Sequence, residues 1–114
     1  MAARWWPVGL SRDLGPGQVM AAMVPVADLA VWRAMSGRVA AWTDRCPHRG
    51  MRLSHGFVRG EALACLYHGW SYDGAGQCTC IPAHPDLVPP AAIRVAGFAV
   101  AEAAGMIWVA DPSI

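Results

Sequence analysis

The sequence contains no lysine. All nine basic residues are arginine, and eight acidic residues leave a net charge of +1. Overall charge therefore gives no reason to expect nucleic acid or a membrane surface as partner. Long apolar runs are missing too. Hydrophobic residues make up 55% of the chain, yet they are mostly Ala and Val in short stretches cut by Gly and Pro. None approaches the roughly 18 residues that a membrane-spanning helix needs. The first residues, MAARWWPVGLSRD, lack the apolar centre of a secretory signal and are too short to anchor the chain. The expectation is a cytoplasmic chain, in which the four cysteines stay reduced rather than pairing as disulfides. Internal repeats and linkers are also missing, so 114 residues fit one domain, 1–114, with one core.

Helical periodicity is weak; only the Ala-rich stretch 100–104 could be read as helix, and it runs into Gly105. Short apolar segments broken by turn residues predict strands instead. These cover Gln18–Val24, Asp28–Ala34, Arg38–Thr43, Glu61–Leu66, Trp70–Tyr72, Gln77–Cys80, Phe98–Glu102 and Met106–Ala110. Met35-Ser36-Gly37, Arg59-Gly60, Asp73-Gly74-Ala75-Gly76 and Ala103-Ala104-Gly105 read as hairpin turns. Many short strands at regular spacing mean an all-β domain. Ile81–Pro90 carries Pro82, Pro85, Pro89 and Pro90 and reads as an extended loop, because proline cannot donate to a sheet ladder. Cys78 and Cys80, one residue apart, would lie on one face of a strand as small buried hydrophobes.

The chemistry lies between residues 46 and 70. Cys46-Pro-His48 is followed, after sixteen residues, by Cys65-Leu-Tyr-His68. Each pair offers a soft thiolate and a borderline imidazole. Zinc takes such ligands, and so does a [2Fe–2S] centre with two His in place of two Cys. Zinc modules usually pair their cysteines and keep their histidines together. One Cys and one His on each of two loops suits a two-iron rhomb gripped from both sides. Four arginines, Arg45, Arg49, Arg52 and Arg59, fall in the same region. They read either as a solvated loop satisfying backbone carbonyls or as a mildly positive face able to steer an acidic partner.

The spacing C-x-H, sixteen residues, C-x₂-H resembles the Rieske family. Trp6-Pro7-Val8, Trp32-Arg33, Asp44-Arg45-Cys46-Pro47-His48-Arg49-Gly50, Leu53-Ser54, Cys65-Leu66-Tyr67-His68-Gly69-Trp70, Tyr72-Asp73, Gly76-Gln77-Cys78, Ile81-Pro82-Ala83 and Ile107-Trp108-Val109 are similar to the N-terminal Rieske domain of ring-hydroxylating and O-demethylating oxygenases. The resemblance implies an antiparallel β-sandwich with a small cluster-binding subdomain. That subdomain has two loops, about 44–55 and 65–73, and a Pro-rich covering loop. It implies one [2Fe–2S] cluster, with Cys46 and Cys65 on one iron and His48 and His68 on the other. Gly50 and Gly69 would let the loops pass close to the sulfides. Tyr67, Trp70 and Pro82 would lie around the cluster, and Tyr72 would set a phenol near a cysteine sulfur.

The same resemblance marks departures. The cytochrome bc type of Rieske protein has a disulfide between its cluster loops; Met51 and Tyr67 stand at those positions here. It also has a serine where this chain has Trp70. Fewer hydrogen bonds to the cluster imply a potential at the low end of the family range. Oxygenases of this kind add a mononuclear iron held by two His and a carboxylate. Here only His55, expected in a surface loop, and His84, expected in the covering loop, remain, and the chain stops at Asp111-Pro-Ser-Ile114, where the catalytic domain of such enzymes follows. The expected role is one-electron transfer, as a ferredoxin-like carrier or as the domain through which electrons reach an oxygenase. A reductase or ferredoxin would be donor and an oxygenase catalytic chain or other redox protein acceptor. The alternatives are a split oxygenase component, active only with a catalytic chain, and a structural zinc module.

Overall fold

A computed structural model describes residues 4–25, 27–47, 51–66 and 69–110. The described residues form ten strands: β1 Trp5–Leu10, β2 Val19–Val24, β3 Ala27–Arg33, β4 Val39–Thr43, β5 Phe57–Arg59, β6 Ala62–Ala64, β7 Ser71–Tyr72, β8 Cys78–Cys80, β9 Gly97–Ala103 and β10 Met106–Ala110. Every pairing is antiparallel, in a six-stranded sheet ordered β1-β10-β9-β4-β3-β2 and a four-stranded sheet ordered β5-β6-β7-β8. The all-β expectation holds. Sequence patterning overlooked β1 and β5. The first holds a proline and a register shift at Pro7–Gly9, and the second is only three residues long.

The large sheet curls until its two edges approach each other; a Cβ on Gly9 would stand 3.1 Å from Met20 Cε. Leu14, Val24, Leu29, Val31, Ala41, Ile107 and Val109 fill the interior of that curl. Alternation sends Ala30, Trp32 and Trp42 to the opposite face, where they pack with Leu53, Leu63, Tyr72 and Ile81 of the smaller unit. β3 and β4 are thus covered on both faces, which explains why β3 carries the continuous run Leu29-Ala30-Val31-Trp32, buried at every position. A strand covered on both faces shows no alternation.

Two ties fix the sheets together. Met35 N–H donates to Gly60 O at 2.9 Å, and Ser36 donates through its amide (2.9 Å) and hydroxyl (2.5 Å) to Glu61. These join the β3–β4 turn to the β5–β6 turn. On the large sheet, Arg33 donates to the carbonyls of Leu14 (2.6 Å) and Gly37 (2.8 Å) and pairs with Glu102 at 2.5 Å. The β9–β10 turn is tighter than expected: Ala103 belongs to β9, and only Ala104 (φ 54°) and Gly105 (φ 76°) turn the chain. Ile81–Pro90 is not extended throughout. His84 N–H bonds to Ile81 O and Leu87 N–H to His84 O, so Pro82 and Pro85 ride on consecutive turns, and Val88–Pro90 follow without one.

Candidate metal centre

The first loop leaves the end of β4. Asp44 N–H donates to Asp28 O at 3.0 Å, and Cys46 N–H reaches across the loop to Met51 O at 2.7 Å. A short 3-10 helix, Leu53–His55, returns the chain, with Leu53 fully buried as its anchor. The second loop leaves β6, and Cys65 N–H closes it on Trp70 O at 2.8 Å. Gly69 sits at φ +69°, a conformation that L side chains resist, and faces Pro82. The Pro-rich segment therefore lies against the second loop.

Cys46 and Cys65 come from different loops but share one core, 1% and 0% exposed, and neither is in a disulfide. Tyr72 on β7 is equally buried, and its hydroxyl lies 3.2 Å from Cys46 Sγ. Trp42 packs edge-on against Tyr72 at 6.3 Å, and Trp32 edge-on against Trp42 at 5.2 Å. Burial, and then the contact with Cys46, push the Tyr72 hydroxyl far above the ordinary tyrosine range. The phenol therefore stays protonated, and across the 3.2 Å contact either it or the Cys46 sulfur can be the donor. Cys78 is buried in the same core and burial raises its thiol, which makes it inert. Cys80 is only half-buried, short of the full burial expected of it.

A family model described as Rieske [2Fe-2S] domain matches residues 4–98. The chain belongs to the Rieske [2Fe–2S] domain family. Among curated proteins, this Rieske domain is 47% identical over 106 residues to oxidoreductase NdmD of Pseudomonas putida, covering 92% of this chain and 18% of that one. It is 39% identical to 4beta-methylsterol monooxygenase of Methylococcus capsulatus, covering 96% of this chain and 31% of that one. Among solved structures, NdmB of P. putida CBB5 superposes with a TM-score of 0.86 at 33% identity, over 96% of this chain and 35% of that one. The Rieske domain thus spans a third or less of the two curated relatives.

A Rieske domain carries a [2Fe–2S] cluster and transfers one electron with it, which requires a donor and an acceptor. The described residues fit that group: two buried, unbridged thiols from separate loops, with a hydroxyl 3.2 Å from one of them. His48, Gly50 and Tyr67, like His68, lie outside the described residues. Met51 and Trp70 pack against the core that holds both cysteines. His55 is exposed, as expected, and so is His84. Among the described residues no helix is long and apolar enough to cross a membrane.

Asp44, Ser54 and Gly56 were not singled out from sequence. The Asp44 side chain is fully buried, with Arg52 Nη1 3.3 Å from one oxygen. Arg52 also reaches Asp28 at 3.4 Å, so this arginine holds carboxylates rather than the backbone carbonyls expected. Only the quoted motifs Asp44-Arg45-Cys46 and Leu53-Ser54 carried a signal for the first two. For Gly56 there was none, because its role depends on a residue eight positions away in sequence.

Proposed function

We propose that residues 1–114 form one Rieske domain that receives a single electron and passes it on. In this reading the loops 44–55 and 65–73 hold the cluster, Cys46 and Cys65 bind one iron, and His48 and His68 bind the other. Gly50 and Gly69 give the loops room, Tyr67, Trp70 and Pro82 shield the site, and Tyr72 donates to Cys46. The bound cluster supplies the one-electron couple. The protein's part is to keep both thiolates dry, to aim the Tyr72 hydroxyl at one of them, and to hold the loops shut with backbone bonds. The observation that carries this reading is the convergence of two buried cysteines from separate loops on a core that includes a phenol 3.2 Å from Cys46 Sγ.

The donor in this proposal is a reductase or ferredoxin, and the acceptor is an oxygenase catalytic chain or another redox protein. A second reading, that the domain serves as one component of a larger oxygenase, draws support from relatives several times its length. Iron and acid-labile sulfide analysis, with absorption and electron resonance spectra before and after dithionite, tests the function. Two irons and two sulfides with a Rieske-type signal are expected, lost in His48→Ala and His68→Ala. Stoichiometric zinc without sulfide would overturn the proposal.

A further inference from the structure

Asp44 is an unusual group to find two residues from Cys46. Its side chain is fully buried, and a carboxylate tolerates burial only when it is well hydrogen-bonded. The bonds come from the far end of the same loop. Ser54 N–H donates to Asp44 Oδ1 at 2.7 Å, and the Ser54 hydroxyl donates to Oδ2 at 2.6 Å. Arg52 adds a longer contact at 3.3 Å and ties the pair to Asp28 on β3. Inside this closure lies the second cross-loop bond, Cys46 N–H to Met51 O.

We infer that Asp44 and Ser54 form a clasp that closes the first cluster loop before any cluster is present and sets how readily the loop opens. Asp44 is a positioning residue: it acts on Cys46 through the loop. Three features support a dedicated closure rather than ordinary surface polarity. The carboxylate has no exposed surface. Both of its oxygens are engaged by one residue. That residue lies ten positions away, at the other end of the loop, so losing the pair frees both ends together. For the fate of bound cluster, the inference rests on the reading that Cys46 is an iron ligand.

The test uses the full chain in metal-free and cluster-loaded forms. In the metal-free form, Ser54→Ala keeps the amide and removes the hydroxyl. A hydrogen bond to a charged group is worth about a factor of ten or more, so amide exchange at Cys46 should quicken about tenfold. Exchange at Val31 and Ala41, in the core strands, should stay unchanged. Ser54→Thr restores the hydroxyl and should restore slow exchange. In the loaded form, bleaching by an iron chelator should quicken by a similar factor in Ser54→Ala and recover in Ser54→Thr. Asp44→Asn, which retains one acceptor, should lie between wild type and Ser54→Ala. Unchanged exchange at Cys46 in Ser54→Ala overturns the clasp, and so does an equal rise at Val31 and Ala41, which would mean general loosening. If wild type takes up no [2Fe–2S] cluster, the proposed function fails, while the exchange measurement on the metal-free chain still decides the clasp.

Discussion

Gly56→Ala should disable the site without touching it. Gly56 has φ −80°, an ordinary value, so backbone conformation does not require glycine. Space does. A Cβ there would stand 2.1 Å from Ala64 O and 3.1 Å from Leu53 O, both rigid backbone atoms. Relief to the 3.4 Å of ordinary contact means moving the Ala64 carbonyl by about 1.3 Å. Phe57 pairs with Ala64 across the β5–β6 ladder, so the ladder must part at that point. Overpacking against rigid surroundings costs about 1–3 kcal/mol, and a lost ladder bond adds about 1 kcal/mol. About 3 kcal/mol corresponds to a fall in Tm of roughly 10–15 °C for a domain of this size. Ala64 directly precedes Cys65, so cluster uptake should fall as well. Gly97→Ala is the control: its Cβ would meet Trp42 at 3.6 Å, an ordinary contact, and Tm should change little. Thermal unfolding followed by circular dichroism, with iron content per chain, measures both. A Gly56→Ala protein that melts within about 2 °C of wild type, on that same scale, would refute the steric reasoning.

Three further variants test the same structure. Tyr72→Phe should lower the reduction potential, because the lost bond to Cys46 Sγ favours the electron-rich reduced state. At about 1 kcal/mol the shift is roughly 40 mV for one electron, read by voltammetry. In the metal-free chain Tyr72 stays protonated when folded and ionises near pH 10 when unfolded, so stability should fall as pH rises above about 10. Denaturant titrations should show a shallower fall in Tyr72→Phe. Ala104→Gly should stabilise the chain by about 1 kcal/mol, because Ala104 holds a positive φ that costs a β-carbon; an unchanged or lower Tm would count against this. The Arg33 contact holds Glu102 below the usual carboxylate range, so its stabilisation is present above about pH 4.3 and fades as pH falls through the lowered value. Glu102→Gln should therefore weaken the fold at pH 7 and lose that effect in acid.

The strand pattern, most of the turns and the family were legible in the sequence, because these rest on local signals. Alternation, Gly–Asp turns and the C-x-H and C-x₂-H spacings are each legible within a few residues. Even its misses were local ones: β1 is masked by Pro7 and a register shift, and β5 is too short to show a pattern. The remaining features depend on residues distant in the chain. The family resemblance put the Tyr72 phenol near a cysteine sulfur; that the sulfur is Cys46 follows from β7 and the end of β4 facing one core. Asp44 reads as a polar loop residue until Ser54 is folded onto both its oxygens. Gly56 looks like any loop glycine, with a backbone angle open to every residue type. Its constraint comes entirely from the Ala64 carbonyl, and that proximity exists only once β5 and β6 have paired.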